Sequence, residues 1–187
     1  GAVTSENPGQ GTRTFSFETY STASNVELKV TEGDEDINDA HIINVDATDD
    51  TDNVALLSFE MEAEGDSDIV IDSLPVTVTS TETTGNDPAD LISSYSLFAG
   101  STEIGSENSV DAGADSSEVV VFDDLNYTID AGKTVTFTVK AKFMSIADSL
   151  DAGDTIQVTF GETQTDLATF DAEDESGEDL VDNDKTG

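Results

Sequence analysis

From Lys133 to Phe143 the chain reads KTVTFTVKAKF, with Val135, Phe137, Val139, Ala141 and Phe143 on one side of a two-residue period and Thr136, Thr138, Lys140 and Lys142 on the other. Neighbours on a helix face recur near 3.6 residues, so this alternation predicts a strand with one buried and one wet face. Its β-branched and aromatic content agrees. Asp130, Ala131 and Gly132 predict a turn before it. The same period holds from Val54 to Ala63, where Ala55, Leu57, Phe59, Met61 and Ala63 oppose Glu60, Glu62 and Glu64. A carboxylate row beside an apolar face predicts the solvated side of a sheet.

Shorter alternating runs fill the rest of the chain. They lie at Arg13–Thr19, Val26–Val30, Ile69–Ile71, Val76–Val78, Leu91–Phe98, Glu118–Phe122, Leu125–Ile129, Ile156–Phe160 and Thr165–Phe170, with a hairpin return from Gly100 to Ile104. Pro75 lacks an amide donor and predicts a strand start or bend. Thr83–Asp90, with Gly85 and Pro88, predicts a crossover between sheets. Met144–Ala152 suits a brief helix or an open loop. The count is about ten to thirteen strands with little helix, and the crossover helices of a parallel α/β domain have no sequence here. The predicted fold is all-β, an immunoglobulin-like or Greek-key β-sandwich over residues 12–171, with a point of subdivision near 46–53. Residues 1–11 read as a linker. Residues 172–187 read as an acidic tail, because the stretch from Asp171 to Gly187 holds eight carboxylates and little to bury.

Charge changes the picture of the surroundings more than that of the fold. Among 187 residues, 42 acidic side chains stand against 6 basic ones, a formal net charge of -36. Such repulsion opposes compaction unless salt or bound cations offset it. Nucleic acid and anionic membrane both require a basic footprint and are not expected partners. No apolar run reaches membrane-spanning length, so direct membrane insertion is not expected. Cysteine is absent, which removes disulfides, thiolate nucleophiles and cysteine-bound metals.

Candidate chemistry is sparse. Asp182, Asn183, Asp184, Lys185, Thr186 and Gly187 place oxygens at positions one, three and five and glycine at six, as in the opening of a calcium loop. Asp34, Glu35, Asp36 and Asn38 form a second oxygen-rich group, and Asp46, Asp49, Asp50 and Asp52 a third. Calcium is therefore the one cofactor suggested, with Asp34, Asp36, Asn38, Asp182, Asp184 and Thr186 as candidate ligands that do not form one site. His41, the single histidine, reads as a surface or half-buried side chain. With no GxSxG, no phosphate loop and no local serine-histidine-acid arrangement, a catalytic centre is not expected. Two surfaces are candidate interfaces: Arg13, Phe15 and Phe17 as a strand able to join a neighbour's sheet, and Lys140 and Lys142 as two of the few cations, projecting from one wet face.

The series LLSFEMEAEGDSDIVIDSLPVTVT (Leu56–Thr79), ADLISSYSLFAGSTEIGS (Ala89–Ser106) and VVFDDLNYTIDAGKTVTFTVKAKF (Val120–Phe143) is similar to a β-sandwich module of extracellular surface and pilin-like proteins from small uncultivated bacteria. Its acidity also suits archaeal or halophilic surface proteins. The resemblance implies a component of a surface layer, appendage or filament, whose partners are copies of itself or other surface proteins. The sequence shows no N-terminal apolar helix of the pilin kind. The alternative is a calcium-dependent adhesin or carbohydrate-binding module with glycan partners. It is weakened by the absence of tryptophan, since sugar platforms are commonly aromatic.

Overall fold

The two segments with the longest alternation lie side by side. In the computed structural model, which describes residues 26–81, 87–109, 116–146, 151–165, 167–181 and 184–186, β2 (Thr51–Glu64) and β8 (Thr134–Phe143) pair antiparallel, with Phe59 opposite Phe137 and Met61 opposite Val135. Around them, β1 (Glu27–Glu32), β4 (Ile92–Ala99), β5 (Thr102–Asn108) and β11 (Lys185–Thr186) complete a six-stranded sheet in the order β11-β1-β2-β8-β4-β5. Among the described strands, β11 alone joins it parallel, Lys185 facing Leu28.

The smaller sheet is organised around one strand, β3 (Ile69–Thr81). Its partners β6 (Ser117–Phe122), β7 (Tyr127–Ile129), β9 (Thr155–Thr159) and β10 (Asp171–Asp174) form two interrupted lanes. On one side β6 covers Leu74–Thr79 and β7 covers Ile69–Ile71; on the other, β9 covers Thr77–Thr81 and β10 covers Ile69–Ser73. Pro75, expected at a strand start or bend, therefore lies inside a continuous strand. It falls in the gap between the β9 and β10 registers, where the missing amide hydrogen leaves no ladder bond unmade. Between β6 and β7 the break is a tight turn through Asp124 and Asn126, both at positive φ (55° and 45°), a region that short polar side chains tolerate. The Leu125 amide bonds Asp72 O at 2.9 Å, keeping that turn beside β3.

One core lies between the sheets. Inward residues of both are buried, among them Leu28, Met61, Leu97, Phe137 and Val139 from the larger sheet and Ile69, Ile71, Leu74, Val76 and Phe122 from the smaller. Rings run through it in series. Tyr127 meets Phe137 edge-on (5.5 Å between centroids), Phe137 stacks on Phe59 (5.6 Å), and tilted contacts join Phe59 to Phe160 (4.6 Å) and Phe160 to Phe170 (5.9 Å), with Lys185 Nζ 5.1 Å above Phe170. Aromatic pairs of this geometry add about 0.5–1.5 kcal/mol each beyond the area they bury.

The all-β expectation holds, with eleven strands and three single-turn helices among the described residues: α1 (Glu35–Asn38), α2 (Pro88–Leu91) and α3 (Glu162–Thr165). The chain crosses between sheets near Pro88 as expected, from β3 to β4, and there contains α2, whose first turn is capped by Asp87 Oδ1 accepting from the Ala89 amide at 3.0 Å. Two local expectations are corrected. The strand expected over Thr165–Phe170 is instead the end of α3 and a turn that buries Phe170. The stretch expected to be an acidic tail is instead part of the fold where it is described. β10 pairs with β3, Ala172 and Leu180 are buried, and β11 borders β1. So few apolar residues among so many carboxylates leave no periodic trace; the open side of β3 is what orders them.

Candidate functional site

The outward lysines sit where both neighbours of β8 are irregular. The β2 register shifts between Thr51 and Val54, through Asn53 at φ 59°, and the β4 register shifts between Ile92 and Ser94. Extra residues opposite a regular strand re-aim side chains. The result here is a shallow polar depression lined by Asp52, Asn53, Ser94, Ser96, Lys140 and Lys142. Lys142 Nζ lies 3.3 Å from Asp50 and 3.5 Å from Asp52. Its hydrogen bond to Asp50, followed by the charge of Asp52, raises its pKa above the ordinary lysine value. Lys140 Nζ lies 3.9 Å above the Phe98 ring, an arrangement worth about 0.5–1 kcal/mol at an exposed site. Two ammonium groups and two carboxylates balance, so the depression offers donors and hydroxyls without a net field for anions. Lys142, expected at an interface, is already engaged within its own chain.

The oxygen-rich group at residues 34–38 does structural work. Asp34 Oδ1 accepts from the Asp36 amide at 2.9 Å and caps α1. Asn38 pairs with the backbone of Ser58 like a short strand: Nδ2 donates to Ser58 O at 2.8 Å and Oδ1 accepts from Ser58 N at 2.7 Å. Gly33 N also reaches Ser58 O at 3.1 Å. Because β1 leaves β2 after Glu32, these contacts cover the exposed edge of β2 at that point. Asp184 precedes β11, which meets β1 near Leu28, whereas Asp34 follows its far end, six residues or about 20 Å along a strand. These candidate ligands are thus not brought together. Thr186 lies in β11, and Asp182 lies outside the described residues, as do Arg13, Phe15 and Phe17. His41 is exposed, its Nδ1 2.8 Å from Asp39 O. In the third group, Asp46 Oδ1 accepts from the Thr48 and Asp49 amides at 2.9 and 3.0 Å, which lowers its pKa, while Asp50 and Asp52 face Lys142.

Two buried polar ties have no sequence signature. Tyr95, on β4 of the larger sheet and fully buried, donates to Glu118 Oε1 on β6 of the smaller at 2.7 Å; Ser109 Oγ donates to the same oxygen at 2.8 Å. Burial, and then the hydrogen bond to Glu118, drive the phenol pKa far above its usual value. Asp174 is 2% exposed, and its Oδ1 accepts from Ser176 N, Ser176 Oγ and Glu178 N at 2.8, 2.6 and 3.1 Å. A buried carboxylate is tolerable when donors converge on it in this way. Among the described residues no group of three or more His, Cys, Asp or Glu side chains is arranged to hold a metal ion.

Comparison with models of known protein families gave no match, and comparison with curated proteins gave none. The resemblance to surface and pilin-like modules therefore rests on the quoted motifs alone, and the fold, an all-β domain with two sheets, stands independently of it.

Proposed function

We propose that this chain is a non-catalytic structural module of an extracellular or cell-surface protein, a layer, appendage or filament, whose partners are copies of itself or other surface proteins. The observation that carries this reading is where the polar side chains withdrawn from water end. Tyr95 joins the two sheets through Glu118, Asn38 completes the edge of β2, and Asp174 ties its own turn. These groups support a scaffold. The acidic coat fits a saline exterior, where screening relieves the repulsion of 42 carboxylates. The strand order, in which β8 returns between β2 and β4, supports the Greek-key form of sandwich.

Antibodies raised against the purified domain test the location. Labelling of intact source cells equal to that of permeabilised cells is expected, and labelling only after permeabilisation overturns the reading. Melting in calcium against chelator, at matched ionic strength, tests the adhesin alternative. The engagement of Asp34, Asn38, Asp46, Asp50 and Asp52 within the fold predicts no calcium-specific shift; a saturable rise with calcium but not magnesium would move the assignment to an ion-dependent adhesin.

A further inference from the structure

One half of the smaller sheet's outer face carries no charge. Alternate positions of β3 on this side are Pro75, which is buried, Thr77 and Thr79, which are half-buried, and Thr81, which is exposed. Their register neighbours are Val121, Val119 and Ser117 on β6, and Thr159, Gln157 and Thr155 on β9. None of these ten side chains is ionisable, in a chain where 26% of residues are charged. Val119 is 51% exposed, and Ser117, Thr81, Thr155, Gln157 and Thr159 are exposed as well. The hydroxyls are partly tied down: Thr79 Oγ1 donates to Ser117 Oγ at 3.3 Å, and Gln164 Nε2 reaches Thr77 Oγ1 at 2.9 Å. Charge resumes on the other half of the sheet with Asp72, Asp171 and Glu173.

We propose that two copies of this chain meet through this uncharged face, sheet against sheet. Two bodies of charge -36 repel wherever carboxylates approach carboxylates, and here three adjacent strands present none. The same patch on both partners gives a two-fold, self-complementary contact, the commonest symmetry of homo-oligomers. A sugar is the poorer occupant, because the face is open and carries no aromatic ring. Three strands about 4.8 Å apart and five residues long present roughly 250 Å², against about 800 Å² per partner in a stable dimer. A single contact is accordingly weak, with a dissociation constant of about 1 mM; copies held side by side in an array would add such contacts. Salt strengthens this contact by screening the repulsion, whereas it weakens docking of a carboxylate on Lys140.

The inference rests on the structural reading above, but the two fail separately, since cell labelling reports location and dilution reports contact. The test is an amide NMR dilution series of the whole chain from about 0.05 to about 2 mM, at about 0.05 M and about 1 M sodium chloride. Concentration-dependent shifts are expected at Thr79, Val119 and Gln157, with about tenfold tighter association at the higher salt. Val119→Glu and Gln157→Glu should each abolish the shifts, while Lys140→Glu on the other sheet leaves them. Gln157 is exposed, so its variant retains the fold, as its spectrum would confirm. Shifts that are absent, that map to the larger sheet, that weaken with salt, or that survive Gln157→Glu would overturn the proposal.

Discussion

The two outer faces of this protein are made by the same two-residue alternation and carry opposite chemistry. On the larger sheet, Glu60, Glu62 and Glu64 stand in a row beside Thr31, Lys29 and Glu27 of β1. Glu64 and Glu27 are like charges placed directly opposite, an unfavourable pairing, and Lys29 relieves it by reaching diagonally to Glu64 at 3.3 Å. Farther along, Asp50 and Asp52 neutralise Lys142. On the smaller sheet the equivalent positions between Pro75 and Thr81 are threonine, serine, valine and glutamine. Both faces are wet, so solubility does not require the difference. A face carrying a row of carboxylates repels an equally acidic neighbour, and one free of charge in so acidic a chain permits it.

The comparison holds only if the two faces share one body, and the largest expected effect tests that. Phe137 touches Phe59 within its own sheet and Tyr127 of the other. Phe137→Ala should cost about 3–5 kcal/mol, read by denaturant unfolding, with amide-exchange protection falling in both sheets together. Loss confined to the larger sheet would mean that the faces belong to independently folding units.

The next effect concerns the polar tie between the sheets. Tyr95→Phe should destabilise by about 1–3 kcal/mol, because it removes a donor from Glu118 and leaves Ser109. The phenol also gives a pH signature. Its folded pKa is raised, so its contribution is fully present below the ordinary tyrosine value near 10 and is lost as pH rises beyond it. Alkaline melts of the parent should therefore fall more steeply above about pH 10 than those of Tyr95→Phe. Parallel slopes would show that Tyr95 is not the group responsible.

Smaller still, Asn38→Ala strips the side-chain partner from Ser58 N at the edge of β2 and should cost about 1–2 kcal/mol, with faster exchange of that amide. The smallest effects separate the faces most directly. Lys142→Met should lower the melting temperature only slightly, and that loss should shrink in about 1 M salt. Thr79→Val on the uncharged face should stay within about 0.5 kcal/mol at any salt. A salt-dependent Thr79→Val would erase the electrostatic distinction drawn between the faces.

Alternation read along single strands located β2, β8 and much of the shared core, because one buried face imposes a period of two on whichever segment supplies it. It also placed Glu60, Glu62 and Glu64 in solvent, and Lys140 and Lys142 on a wet face. It missed α3 and β10, where side chains such as Phe170 and Ala172 are buried by partners supplied from β3 and from distant turns. It offered calcium for Asp34 and Asn38; Asp34 Oδ1 caps α1, and the Asn38 amide group folds the chain back onto Ser58. A polar residue engaged across twenty positions looks, in sequence, like any loop residue.

By itself the sequence determined the all-β class, the inward residues of the longer strands and the acidity of the surface, since these follow from local periodicity and composition. The tertiary structure decided strand order, the lane gap that accommodates Pro75, the tie from Tyr95 to Glu118 and the gathering of ten uncharged side chains from β3, β6 and β9 onto one face. Each of these depends on which distant strands become neighbours, and that is set by long-range pairing and by closure of the common core, neither of which leaves a mark on any one segment.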